Sequence, residues 1–251
     1  MIIISNGAYK SGSTWLFNIL RELTGFPPPP EQYRNPEWVN PSVHPEKLQQ
    51  FLKEYGSGNE SFLSKNHFGT REERDLILGY PNIRIFNIAR DLNDVLVSAF
   101  YHRIKHHGFE GDFKAYYWAH GRKELLDVIQ YHQLWNIKHS QIYISCYENL
   151  KMDFEDEVSK ICKFLDMNCQ EEKIMDIARA TSLNSLREKY EDDEKQPFFR
   201  KGEIGDWKNY LDKKILKDIS RIKSMKKIPP SRADFYTRIK FKLKKIISYD
   251  T

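Results

Sequence analysis

The stretch Met1 to Thr24, MIIISNGAYKSGSTWLFNILRELT, constrains this chain more than any other. The apolar run Met1 to Ser5 has the length of a buried strand. Gly7 and Gly12 follow, and then Ser13 to Leu23, in which Leu16, Ile19, Leu20 and Leu23 fall on one helical face. A strand that turns through glycines straight into a helix aims the helix's first amides back over the strand end, where their partial positive charge favours an anion. Ser13 and Thr14 add hydroxyl donors, and Lys10 adds a cation. The order differs from the ATP-type loop, which needs glycine, four residues and then Gly-Lys-Ser/Thr, because here Lys10 precedes Ser11 and Gly12.

The remainder alternates in the same way. Ser61 to Asn66, Arg84 to Ile88 and Gln141 to Cys146 read as three further strands. Pro45 to Tyr55, Asp91 to His106, Arg122 to His139 and Asp153 to Leu165 read as helices. This alternation predicts an α/β fold, a single domain over residues 1–251 with a central, mostly parallel sheet flanked by helices, and ligands at the strand carboxyl ends. The Pro27 to Pro30 run reads as a stiff loop, no linker or internal repeat divides the chain, and 40% hydrophobic residues suffice for a sizeable core.

Two more segments suit anions. Arg90 leaves the third strand, with Ser98 two helical turns further on in ARDLNDVLVSAF; a guanidinium fork and a hydroxyl can share one phosphate. In FFRKGEIGDWKNYL, Phe198 to Leu211, Arg200 and Lys201 precede Gly202 and Gly205, so cations and accessible amides converge. Each segment alone also reads as an ordinary turn or basic loop. Three in one chain argue against that.

Net charge is +5, which suits an anionic ligand as well as nucleic acid or an anionic membrane. Lys and Arg are spread along the chain and no nucleic-acid motif occurs, so no nucleic-acid partner is expected. No apolar run approaches the roughly 20 residues of a membrane span, and the apolar Ile2 to Ile4 is too short for a signal peptide. Cys146, Cys162 and Cys169 are odd in number and lack CxxC spacing, which speaks for a reducing compartment and against a zinc site. The expectation is a soluble cytoplasmic protein.

YKSGSTW, RDLNDVLVSAFYH and RKGEIGDWKNYL together resemble, in order and separation, the cofactor signatures of sulfotransferases that use 3'-phosphoadenosine 5'-phosphosulfate (PAPS), from Ile2 to about Leu211. The resemblance implies a fold like that of P-loop NTPases, with PAPS as donor and 3'-phosphoadenosine 5'-phosphate (PAP) as product. By motif position, Lys10, Ser11, Gly12, Ser13 and Thr14 bind the 5'-phosphosulfate, and Arg90, Ser98, Arg200, Lys201 and Gly202 take the 3'-phosphate. Trp15, Tyr147, Thr181 and Leu183 stand at adenine-contact positions; Leu183 replaces the family's usual phenylalanine, so stacking there is weaker or absent. LSKNHFG, Leu63 to Gly69, is similar to the family's Lys-Thr-His-Leu-Pro segment. It implies His67 as general base and Lys65 as a second lysine facing the transferring group.

The implied mechanism is in-line sulfuryl transfer in which the protein positions reactants and neutralises charge. Lys10 meets the leaving oxygen, and no metal is required. His102 and His106, four apart, lack the further ligands of a metal site. The acceptor is expected to be a small molecule, sulfated on a hydroxyl or on an amine or guanidinium nitrogen. Glu191 to Glu194 precede the Arg-Lys-Gly loop; if they line the mouth, they favour a cationic acceptor, for instance a saxitoxin-type alkaloid. Phe109 to His120, rich in aromatics, is a candidate pocket lining whose alternative is packing. The chain lacks the N-terminal extension and the Lys-Thr-Val dimer motif of animal cytosolic members, so a compact bacterial tailoring enzyme of secondary metabolism is expected, with no oligomeric state implied. The basic, amphipathic Thr237 to Ile247 reads as a closing element packed on the domain, the alternative being a contact with anionic lipid or a carrier. The rival readings are a non-catalytic PAPS- or nucleotide-binding protein and a basic nucleic-acid-binding module.

Overall fold

The computed structural model describes residues 1–190 and 199–225. Four strands, β1 (Ile2–Asn6), β2 (Phe62–Asn66), β3 (Ile83–Ala89) and β4 (Ile142–Cys146), form one sheet in the order β2-β1-β3-β4, and every neighbouring pair is parallel. All four carboxyl ends therefore lie along one edge. The chain runs from β1 out to β2 and then returns to the other side of β1 for β3. That reversal is the position at which open α/β sheets leave a crevice.

Helices fill the connections: α1 (Ser13–Thr24) and α2 (Leu48–Tyr55) between β1 and β2, α3 (Arg71–Leu78) before β3, and α4 (Leu92–His107), α5 (Phe113–Tyr116) and α6 (Arg122–Trp135) before β4. After β4 come α7 (Tyr147–Met152), α8 (Phe154–Phe164), α9 (Glu171–Ala180), α10 (Leu183–Lys189) and α11 (Lys213–Lys223). Every β1 residue is buried, as a strand covered on both faces requires. Its alternation divides the core. Ile3 joins Leu63, Phe86 and Ile88 against Leu16, Leu20, Val158, Ile161 and Ile177, whereas Ile2, Ile4, Ile83 and Ile85 pack with Phe51, Leu52, Ile77 and Trp135.

The expected strands and helices are present with shifted ends. Pro45–Lys47 forms a separate 3₁₀ turn ahead of α2, and the helix expected to reach His139 stops at Trp135. α3, α5, α7, α9, α10 and α11 are not among the expected helices, although Thr70 and Glu73 form a capping box at α3. The aromatic segment Phe109 to His120 packs instead of lining a pocket. Phe113, Tyr116 and Tyr117 are buried with Leu96, Phe100 and Ile215, and the Tyr116 hydroxyl donates to Glu124 at 2.5 Å.

Cysteine chemistry is also corrected. Cys162 at the end of α8 is disulfide-bonded to Cys169, and only Cys146 is a free thiol. The chain reverses at Asp166, whose φ of 55° is left-handed, and this brings the two Cα atoms to 6.2 Å. The cysteine ground for a reducing compartment is thereby lost. No helix among the described residues is long and apolar enough to cross a membrane. Glu191 to Glu194 and Thr237 to Ile247 lie outside the described residues.

Candidate active site

A cleft of about 960 Å³ opens at the carboxyl edge of the sheet. Its lining includes every residue expected from the sequence except Ser11: Lys10, Gly12, Ser13, Thr14 and Trp15 from the first loop and α1, Lys65 and His67 from the end of β2, Arg90 and Ser98 from β3 and α4, Tyr147 from α7, Thr181 and Leu183 from the α9–α10 corner, and Arg200, Lys201 and Gly202 from the basic loop. Ser11 lies beneath, fully buried, its hydroxyl donating to the Ala8 carbonyl at 2.6 Å. It shapes the turn.

The first loop needs its glycines. Gly12 has φ 100°, a conformation that L side chains rarely adopt, and a Cβ there would lie 2.7 Å from the Tyr147 ring. Lys10, at φ 61°, is itself left-handed. No side chain caps the first turn of α1. Gly12→Ala is expected to cost about 2 kcal/mol, visible as a fall in Tm of roughly 4–8 °C. An unchanged Tm would mean that the loop is not held in this form.

At the end of β2, Lys65 is buried and its Nζ lies 3.3 Å from His67 Nε2. On the other side of the ring, His67 Nδ1 is 2.6 Å from the Gly7 carbonyl oxygen. A carbonyl only accepts, so Nδ1 carries the proton and the lone pair resides on Nε2. Burial within the cleft, then the Lys65 ammonium, pushes the His67 pKa down to about 4. The outer surface of the residue remains open to water in the cleft, which moderates that depression. Burial likewise lowers Lys65 to about 8. His67 is thus neutral at neutral pH and able to accept a proton.

Arg90 stacks on Tyr147, its guanidinium carbon 4.1 Å from the ring centre, and its Nη1 reaches the Lys10 carbonyl at 3.5 Å. Among the described residues, its buried Nε has no hydrogen-bond partner, and neither has the buried Nε1 of Trp15. Trp15 packs edge-on against Tyr147 and stacks with Phe154 at 6.2 Å. Arg200 lies over Tyr101 at 4.5 Å and is ion-paired with Asp206, which Lys201 also approaches at 3.4 Å. Burial opposes ionisation of Asp206, but Arg200, Asn209 and Lys201 together outweigh it and hold the carboxyl below its usual value.

Asp94 and the segment Trp38 to Asn40 escaped sequence reading, as did the contacts that hold the basic loop. Asp94, buried in the first turn of α4, accepts from the Gly205 amide at 2.7 Å and the Trp207 amide at 3.1 Å, and Tyr147 donates to the Gly202 carbonyl at 3.1 Å. Trp38, Val39 and Asn40 form another wall, with Trp38 5.6 Å from the His67 ring. Tyr9 and His102 also line the cleft, Tyr9 Oη lying 2.5 Å from His102 Nδ1. The rings of His102 and His106 lie 4.3 Å apart and are tilted by 35°, and among the described residues no group of three or more His, Cys, Asp or Glu is placed to hold a metal ion.

A four-stranded parallel sheet with an anion-type loop after β1, Lys65 near the end of β2 and Arg90 just past β3 defines an α/β protein whose strand-end cleft suits an anionic ligand. A family model described as "Sulfotransferase domain" matches residues 2–228, and the chain belongs to that family. Cytosolic sulfotransferase 10 of Arabidopsis thaliana is 25% identical over 88% of this chain and 76% of its own length. Sulfotransferase 1A1 of Rattus norvegicus is 28% identical over 51% and 50%, and Sulfotransferase 1B1 of Mus musculus is 36% identical over 30% and 28%. The match thus spans half or less of these mammalian relatives. Among solved structures, mouse sulfotransferase SULT7A1 complexed with PAP superposes with a TM-score of 0.66 at 19% identity, covering 94% of this chain and 88% of that one. Retinol dehydratase in complex with androsterone and inactive cofactor PAP superposes at 0.63 with 16% identity, covering 91% and 82%. At these identities the two structures establish the fold.

Proposed function

We propose that the protein is a PAPS-dependent sulfotransferase acting on a small molecule. The observation that carries this reading is one cleft in which a neutral His67, with its Nε2 lone pair beside Lys65, shares a wall with Lys10, while Arg90, Ser98, Arg200, Lys201 and Gly202 stand elsewhere on the same lining. The residues present fit the donor nucleotide. The orphaned Arg90 Nε and Trp15 Nε1 are buried donors of residues that line the cleft, and a side chain at Gly12 would run into the Tyr147 ring.

PAPS supplies the sulfuryl group and carries it on a phosphate leaving group. Lys10, with the amides and hydroxyls of Ser13 and Thr14, holds the 5' end, on a turn that Ser11 shapes. Arg90, Ser98, Lys201 and Gly202 hold the 3'-phosphate, together with Arg200, which must share its guanidinium with Asp206. Trp15, Tyr147, Thr181 and Leu183 border the adenine. Phe154 offers an aromatic face that Leu183 does not. His67 Nε2 takes the acceptor proton, Lys65 supports the charge on the transferring oxygens, and Lys10 meets the charge developing on the departing phosphate.

The acceptor is a small molecule that offers a hydroxyl or an amine or guanidinium nitrogen beside His67. The case for a cationic acceptor of the saxitoxin type depends on Glu191 to Glu194, which lie outside the described residues. No carboxylate is found among the described lining residues.

Calorimetry with PAP, ADP and ATP tests the donor assignment without knowledge of the acceptor. Tight binding of PAP that depends on its 3'-phosphate is expected. Indistinguishable or absent binding of all three overturns the proposal and returns the basic-module reading.

A further inference from the structure

The ladder between β1 and β2 ends at the pair Asn6 and Asn66, one residue short of His67. Beyond it, the Asn6 side chain continues the pairing. Its Oδ1 accepts from the Phe68 amide at 2.8 Å and its Nδ2 donates to the Phe68 carbonyl at 3.4 Å. Trp135 Nε1 donates to the same carbonyl at 2.7 Å. On the near side of the histidine, Asn66 Nδ2 donates to the Val43 carbonyl at 2.8 Å. His67 is therefore flanked by two residues whose polar groups are pinned, and its Nδ1 partner, Gly7, directly follows Asn6.

Resting on the sulfotransferase reading, we propose that Asn6 is a positioning residue that holds the β2 end so that His67 keeps its Nδ1 proton on Gly7 and its Nε2 lone pair toward the cleft. Asn6 is fully buried, outside the cleft lining, and touches no reacting atom. A backbone hydrogen bond at that register would leave the peptide free to twist. A side-chain amide that both accepts and donates fixes its plane as well.

The test is nitrogen-15 NMR of the histidine rings in the full chain, with the His67 signals assigned by their loss in His67→Ala. The wild type is expected to show one tautomer, protonated at Nδ1. Asn6→Ala is expected to lose that single signature, its two ring nitrogens moving toward the averaged position of exchanging tautomers, while circular dichroism and PAP binding by calorimetry stay as in the wild type. If Asn6→Ala does not fold, Trp135→Phe removes the other donor to Phe68 and is expected to show a smaller shift in the same direction. An unchanged His67 signature in a folded variant overturns the positioning role. Absent PAP binding in the wild type would instead overturn the sulfotransferase reading, so the two failures are distinct.

Discussion

His67→Ala is expected to lower turnover by about 10²- to 10⁴-fold, the usual contribution of a positioned general base, with PAP affinity unchanged. His67 sits beside Lys65 and Trp38, whereas the residues assigned to the nucleotide's 3' end come from other elements. The pH profile supplies a second readout. Proton acceptance needs the neutral imidazole, and because burial and Lys65 push its pKa down to about 4, the active form is present at neutral pH and is lost only as the medium becomes acidic. Lys65 must be charged, and because burial lowers it to about 8, its contribution is lost as pH rises through that value. The two groups are 3.3 Å apart, so the limbs of the bell belong to the pair. Lys65→Met should remove the alkaline limb and, by removing a charge that depresses the His67 pKa, move the acid limb to higher pH. Full turnover in His67→Ala would refute the base assignment.

Arg90→Ala is expected to weaken PAP binding by about 3 kcal/mol, roughly 150-fold in Kd, the scale of removing one partner from a desolvated charge pair. ADP, which has no 3'-phosphate, should lose far less. Arg90→Lys should recover only part of the loss, because an ammonium keeps the charge but not the planar fork that stacks on Tyr147. Equal losses for PAP and ADP would assign Arg90 to supporting the first loop through the Lys10 carbonyl.

Much of this architecture was legible because local patterns coincide with global ones. The apolar runs of β1 to β4 are short and bounded, and a strand, glycine turn and helix in succession leave few backbone paths. The three anion-suited segments could be recognised one by one, since each holds its own cations and glycines. What escaped depends on neighbours remote in sequence. Asp94 reads as an ordinary first-turn acid until the loop 111 residues away presents two amides to it. Trp38 to Asn40 have no periodicity, and the chain just after them is held to the edge strand at Val43, whose amide donates to Ser64 Oγ and whose carbonyl accepts from Asn66 Nδ2. The aromatics of Phe109 to His120 suit a pocket as well as a core, and only the approach of α11 decides between them. The disulfide was missed because spacing alone does not bring two thiols together, whereas a left-handed turn at Asp166 does.

By itself, the sequence determined an α/β chain with a strand-to-helix anion loop and a family signature along most of its length, because periodicity, glycine placement and charge order act over a few residues. Only the tertiary structure decided that all but one of the expected site residues share a single cleft, and which nitrogen of His67 carries the proton. It also showed that Arg200 arrives already paired with Asp206. The shared cleft requires parallel pairing to bring four strand ends to one edge, and the place of the His67 proton rests on a hydrogen bond to Gly7, 60 positions away, that no local pattern encodes.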